Sequence, residues 1–232
     1  IRPILRGRDI KRYKFNFQHL YLIYIPCGFT NMNKDVNQEA EEWIKSQYCS
    51  IYNFLVNREY ELSLNRTKKL KGLYKRDDQG DYWWELRSCN YMDDFYKQKI
   101  IYPETTQGAY FYLDDNQYFI DKTCFMITGS NLKFLLANLS SSLFEFAYRY
   151  IYSSIELGKK AYQYNKHALI MLPILNPLNI SRNEKQYIED LVEKALKSED
   201  AEKKQYIKLL DDAIYQLYDI SKEEIEFINN YK

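Results

Sequence analysis

Hydrophobic residues change their period several times along the chain, and each change marks an expected element. Tyr21-Leu22-Ile23-Tyr24-Ile25 is β-branched and aromatic and stops at Pro26, which predicts a strand. Over residues 38–55, Ala40, Trp43, Ile44, Ile51 and Leu55 recur at helical spacing and predict one amphipathic helix. Asp77-Asp78-Gln79-Gly80 reads as a turn. Short strand candidates follow at 83–86, 99–102, 109–113, 118–120 and 124–128. Spacing of roughly ten residues suits a sheet of hairpins better than βαβ units. Between 131 and 150, Leu132, Leu135, Leu136, Leu139, Leu143, Phe146 and Tyr150 trace the stripe of a single helix. Ser140-Ser141-Ser142 gives that helix small side chains for close approach to a neighbour. Residues 169–172 are the last strand candidate, ended by Pro173.

Asn176-Pro177-Leu178-Asn179 interrupts the pattern, and beyond it the period is helical. Ser181 with Glu184, and Ser221 with Glu224, have capping-box spacing, and Ile220 is placed to staple onto Ile225. Ile188, Leu191, Val192 and Ala195 make one buried stripe, and Tyr206, Leu210, Ala213 and Leu217 the next. The expected fold class is α/β (α+β): a mixed, largely antiparallel sheet flanked by helices, with a C-terminal helical appendix. The expected division is an α/β body over 1–178 and a helical segment over 179–232.

A length of 232 residues fits one large domain or two small ones. With 46% hydrophobic and 28% charged residues, a packed core is expected rather than disorder. Only 7 glycines are present, and neither a GxGxxG nor a Walker loop occurs. The most apolar long stretch, 132–151, contains Lys133, Asn138, Glu145 and Arg149, so no membrane span is expected. No apolar h-region follows the basic start, so no signal peptide is expected either. Cys27, Cys49, Cys89 and Cys124 form no CxxC pair, which fits free thiols in a reducing cytoplasm rather than zinc. A chain opening at Ile1 is expected to be a piece of a longer protein.

Candidate chemistry is sparse. His19 and His167 have no second ligand at metal spacing. The serines at 140–142 lack the strand-turn-helix setting of a nucleophile elbow. Asp93-Asp94 and Asp114-Asp115 read as solvated pairs beside turns. Asp114, Asp121 and Lys122 are too loosely spaced for a metal-dependent nuclease. No catalytic residue, metal or cofactor is therefore expected in this chain.

The net charge of +1 first argues against a nucleic-acid binder, but it is an average. The balance is +8 over 1–76, −7 over 77–121, +4 over 122–180 and −4 over 181–232. Alternating blocks can give a neutral protein one basic face, although Lys-rich runs are also ordinary solvated surface. Basic residues interleave with aromatics in three sets. Arg6, Arg8, Lys11, Arg12 and Tyr13 form the first. Trp83, Trp84 and Arg87 form the second, and Lys159, Lys160, Tyr162, Gln163 and Lys166 the third. Lys68, Lys69 and Lys71 add charge from the acid-free run 62–76. Lys contacts phosphate, Arg and Gln can read base edges, and aromatics can stack on unpaired bases. With 24 tyrosines, most must serve packing.

Seven segments in order resemble one family. The opening Arg2-Pro3-Ile4-Leu5-Arg6-Gly7-Arg8-Asp9-Ile10-Lys11-Arg12-Tyr13 is similar to the start of the TaqI-like C-terminal specificity domain. That domain occurs in adenine-specific DNA methyltransferases and type IIG restriction–modification enzymes. Residues 62–66 resemble the end of the family's long helix, and Trp83-Trp84-Glu85-Leu86-Arg87 its aromatic-Glu-Leu-Arg segment. Lys99-Ile100-Ile101-Tyr102-Pro103-Glu104 resembles its Lys-Ile strand, and residues 134–141 its Leu-rich Asn-Ser helix. Leu172-Pro173-Ile174 and the tail 210–225 complete the likeness. Two departures are Asp219 where the family usually has Gly, and Leu139-Ser140 where it has Asn-Ser. The resemblance implies recognition of double-stranded DNA. It also implies a preceding methyltransferase domain of the same parent chain, using S-adenosylmethionine to methylate adenine N6, and possibly an endonuclease domain. The alternative is a protein–protein interaction module built on the C-terminal helices and surface aromatics.

Overall fold

The run Lys-Ile-Ile-Tyr-Pro at 99–103 is buried at every position, the pattern of a strand covered on both faces. In the computed structural model, which describes residues 1–64, 72–152, 156, 157 and 161–231, this run is the centre of the main sheet. The strands are β1 (Arg2–Leu5), β2 (Ile10–Lys11), β3 (Lys14–Phe15), β4 (Tyr21–Leu22), β5 (Lys99–Pro103), β6 (Thr105–Thr106), β7 (Tyr112–Asp114), β8 (Phe119–Ile120), β9 (Cys124–Thr128), β10 (Glu156–Leu157) and β11 (Ala161–Gln163). The helices are α1 (Phe29–Asn33), α2 (Ala40–Gln47), α3 (Cys49–Leu64), α4 (Leu132–Ser140), α5 (Ser142–Ala147), α6 (Lys166–Leu169), α7 (Arg182–Lys197), α8 (Asp200–Leu217) and α9 (Lys222–Asn230). They fold into two compact units, one of residues 1–2 and 22–92, the other of 3–21 and 93–232.

In the larger unit the main sheet is antiparallel, in the order β7-β5-β9. Side chains alternate across it as the pleat requires. Ile100, Tyr102 and Leu113 enter a core shared with α4, α7 and α8. Ile101 and Tyr112 enter a second core with Leu5, Ile10 and Cys124. β1 pairs in parallel with β8, and β10, β11 and β6 form a separate antiparallel sheet. This mixed, mainly antiparallel architecture flanked by helices is the expected class.

The C-terminal helices share the body's core through Leu191, Val192, Leu210 and Ile214. Polar bonds fasten them as well. Asp211 accepts from Arg12 Nη2 at 2.6 Å and from the Ser142 amide at 2.8 Å. The Tyr218 hydroxyl donates to Asn138 Oδ1 at 2.8 Å. Lys203, only 6% exposed, donates to the carbonyls of Ala195 and Tyr13, and burial lowers its pKa. Both predicted capping boxes are present at Ser181 and Ser221. Asp219 has φ 51, so the turn where the family has Gly does run through the left-handed region.

Several elements differ from the sequence pattern, each for a local reason. The helix expected over 38–55 is two helices that break at Tyr48, whose ring packs at 5.8 Å on Trp43 and 6.0 Å on Phe29. The helix expected over 131–150 breaks at Ser141, whose hydroxyl caps α5 by accepting the Phe144 amide at 3.2 Å. Residues 83–86 form a turn with one bridge, Gln79 to Leu86, instead of a strand. Residues 169–172 close α6, because the Asn165 side chain caps that helix by accepting the His167 amide at 2.8 Å. The strand at 21–25 is paired only at Tyr21–Leu22.

The smaller unit packs α1, α2 and α3 around Ile25, Trp43, Ile44, Tyr52 and Trp84. Among the described residues, no helix is long and apolar enough to cross a membrane.

Candidate nucleic-acid interface

The first basic set separates into structural and outward-facing members. Arg6 Nε and Nη2 each lie 3.2 Å from the Asp9 carboxylate, which also accepts the Arg6 amide at 2.9 Å. This closes a 3-10 turn over Gly7–Asp9. A Cβ at Gly7 would stand 2.7 Å from the Thr123 carbonyl oxygen, so only Gly lets the turn sit this close. The turn leaves Arg8 exposed. Lys11 is also exposed, with Nζ 4.8 Å over the Tyr110 ring. Arg12 instead turns inward to Asp211. Burial, the largest single influence, works against its charge, but Asp211, Tyr13 and Glu145 together outweigh it and raise its pKa. Tyr13 corrects the sequence expectation outright: it is 0% exposed and packs in the core.

Of the third set, Tyr162 and Gln163 lie on β11, one strand of a hairpin. β10 pairs with β11, Leu157 opposite Ala161, and β11 pairs with β6. Lys159 and Lys160 lie outside the described residues, as do Lys68, Lys69 and Lys71. Tyr162 and Tyr164 point into the core, where burial raises the pKa of both hydroxyls. Tyr162 is therefore a packing residue and not the DNA contact the sequence suggested. Gln163 is half-buried and Lys166 exposed. The Tyr148 hydroxyl anchors the strand end by donating to the Gln163 carbonyl at 3.0 Å and accepting the Asn165 amide at 2.7 Å. Tyr148→Phe leaves both backbone groups unpaired. We expect a loss of about 2 kcal/mol in urea unfolding, with preference for a specific DNA site falling more than affinity for random DNA.

The end of β5 brings the two sets together. The Gly7 amide donates to Thr123 Oγ1 at 2.8 Å, and the Glu104 amide to the Thr123 carbonyl at 2.8 Å. The Tyr164 amide donates to the Glu104 carbonyl at 2.8 Å, and Gln163 Nε2 to Glu104 Oε1 at 2.7 Å. Arg8, Lys122 and Lys166, each within two residues of this junction, are exposed, and like Lys11 they make no ion pair among the described residues. Lys122 and Tyr110 were not among the residues the sequence pointed to as DNA-facing. Lys122 is hidden there by the acidic block before it, whose last member, Asp121, caps the Thr123 amide at 2.9 Å.

The second set belongs to the smaller unit, and its motif is largely architectural. Glu85, 0% exposed, accepts the amides of Gly28 at 3.0 Å, Thr30 at 2.9 Å and Asp81 at 3.0 Å. Trp84 is buried, stacks on Tyr82 at 4.9 Å and donates Nε1 to Thr30 Oγ1 at 2.9 Å. It is a core residue, contrary to expectation. Trp83 is half-buried beside Tyr74, and Arg87 is exposed. Cys27, Asp81 and Glu85 bring possible metal-ligand atoms within 4.8 Å of one another. Both Glu85 oxygens already accept amides there, so the group works as a hydrogen-bonded clasp. Asp114, read from sequence as solvated, is buried at 0% exposure with Lys99 Nζ 2.6 Å away.

The model of the TaqI-like C-terminal specificity domain matches residues 2–174 of this chain. No curated protein matches it.

Proposed function

We propose, since this chain belongs to the TaqI-like C-terminal specificity domain family, that it reads the DNA site of a parent enzyme whose chemistry lies in another domain. Family membership supports DNA sequence recognition in restriction–modification enzymes. The finer reading is an adenine-specific methyltransferase domain in the same parent chain, acting in the cytoplasm, with or without an endonuclease domain. S-adenosylmethionine belongs to that domain, so calorimetric titration of the cofactor into this chain gives no binding heat.

The observation that carries the reading is the bonded junction of Gly7, Thr123, Glu104, Gln163 and Tyr164 at one end of β11, with exposed Arg8, Lys122 and Lys166 each within two residues of it. A two-stranded ribbon fits the major groove. The β10–β11 hairpin is the element that enters it, Gln163 reads a base edge at its root, and Lys159 and Lys160 contribute charge. Arg8, Lys11 and Lys166 hold phosphates, which fixes register without carrying sequence information. Arg87 is a phosphate contact of the smaller unit, and Lys68, Lys69 and Lys71 supply further charge.

Replacing Arg8, Lys11 and Lys166 together by Ala tests this in fluorescence anisotropy with duplex DNA. The slope of log K against log salt becomes shallower by about one per lost phosphate contact, while Lys204→Ala and Lys208→Ala leave it unchanged. Lys203 is unsuitable as a control, because it is buried. Equal effects from both groups of variants would contradict the assignment. A protein–protein role has one observation in its favour. Phe146, Tyr150, Phe227 and Tyr231 cluster with ring centroids 4.0–5.8 Å apart, and Phe227 is 58% exposed. Docking through that surface has no counterion-release slope, so the same titration separates the readings.

A further inference from the structure

We infer that Glu104 and Gln163 form a base-reading pair, in which the Glu104 carboxylate accepts a hydrogen from the exocyclic amino group of cytosine or adenine in the major groove. The inference rests on the DNA-reading role proposed above and names two of its specificity-determining residues.

Both residues are half-buried at the root of the hairpin. Their backbones are held rigidly, since the Glu104 amide and carbonyl bond to Thr123 and Tyr164, each at 2.8 Å. The Gln163 carbonyl is held by the Tyr148 hydroxyl. The side chains join through Gln163 Nε2 and Glu104 Oε1 at 2.7 Å. That bond fixes the Gln163 amide and uses one of its two N–H groups. Gln163 Oε1, its second N–H and Glu104 Oε2 have no partner among the described residues. The pair therefore presents a short row of donor and acceptors from a preorganised base.

The charge of Glu104 gives the row its chemistry. No cation among the described residues pairs with it, although Arg8, Lys122 and Lys166, each within two residues of the junction, are exposed. A carboxylate there is repelled by phosphate. What it can accept from duplex DNA is a hydrogen, and the major groove offers hydrogens only on the amino groups of cytosine N4 and adenine N6. Guanine and thymine present acceptors at the matching positions, so Glu104 rejects them. Gln163 lies beside it with one donor and one acceptor left, the pairing that suits an adenine edge.

The test selects bound duplexes from a randomised library with the full 232-residue chain and with the variants Glu104→Ala and Glu104→Gln. The wild-type chain should show one position restricted to cytosine or adenine. Glu104→Ala should lose about ten- to hundredfold of that discrimination, with the salt slope and the positions beyond the reach of Glu104 and Gln163 unchanged. Glu104→Gln, which can also donate, should admit guanine or thymine at the same position. The backbone bonds of Glu104 to Thr123 and Tyr164 remain in both variants, and Glu104→Gln keeps an oxygen for Gln163, so that variant should keep the wild-type melting midpoint. Parallel weakening at all positions, or an unchanged selected sequence, overturns the pair. If the wild-type chain itself selects no sequence and binds without salt dependence, the DNA-reading proposal fails first, and the pair with it.

Discussion

Replacing Lys99 by Met destabilises the larger unit by about 3–5 kcal/mol. Lys99 and Asp114 face each other across the β5–β7 register, both at 0% exposure, with Nζ 2.6 Å from the carboxylate. Lys99 also donates to the Phe95 carbonyl at 2.8 Å. Asp114 accepts the amides of Asn116 at 2.8 Å and Tyr118 at 2.9 Å. Without the ammonium, a carboxylate remains in the sheet with only two neutral donors. The cost is that of the stranded charge rather than the worth of the pair, so adding Asp114→Leu should recover part of the loss. Urea unfolding of the single and double variants measures both. A loss below about 1 kcal/mol for Lys99→Met, the range of an exposed pair, would show that water reaches the site.

Replacing Glu85 by Ala has the second largest effect, confined to the smaller unit. Three amides, those of Gly28, Thr30 and Asp81, converge on this one buried carboxylate. Each unsatisfied buried donor costs about 1–3 kcal/mol, and some relaxation toward solvent leaves a net loss of about 3–5 kcal/mol. Hydrogen exchange should speed up at these three amides, while Ile100 in the larger unit keeps its protection. Glu85→Gln retains one acceptor oxygen and should fall between wild type and Ala. Equal acceleration in both units would mean that Glu85 supports more than its own unit.

What the sequence made legible follows from the range of each interaction. The strands expected at 99–102 and 124–128 and the capping boxes at Ser181 and Ser221 are local signals, and the structure contains all of them, the first strand running to Pro103. The break at Ser141 was hidden, because an apolar stripe continues across it while a hydroxyl redirects the backbone. Tyr13, Trp84 and Tyr162 were misplaced on the surface for a related reason. Each has a polar atom beside an apolar ring, so its neighbours in sequence do not decide which part prevails. The charge blocks located the basic region but not which cations are already neutralised. Arg12 meets Asp211 across 199 positions, and Lys203 meets Tyr13 across 190. Those pairings leave Arg8 and Lys11 exposed, and the same folding bonds Gly7, beside Arg8, to Thr123 and links Thr123 through Glu104 to Gln163.

Duplex-DNA affinity of the intact chain, measured across a salt series, tests the central claim most directly. If Arg8, Lys11, Arg87, Lys159, Lys160 and Lys166 each hold one phosphate, log K falls linearly with log salt at a slope of about −5. A slope near zero would contradict a DNA-reading role for this chain.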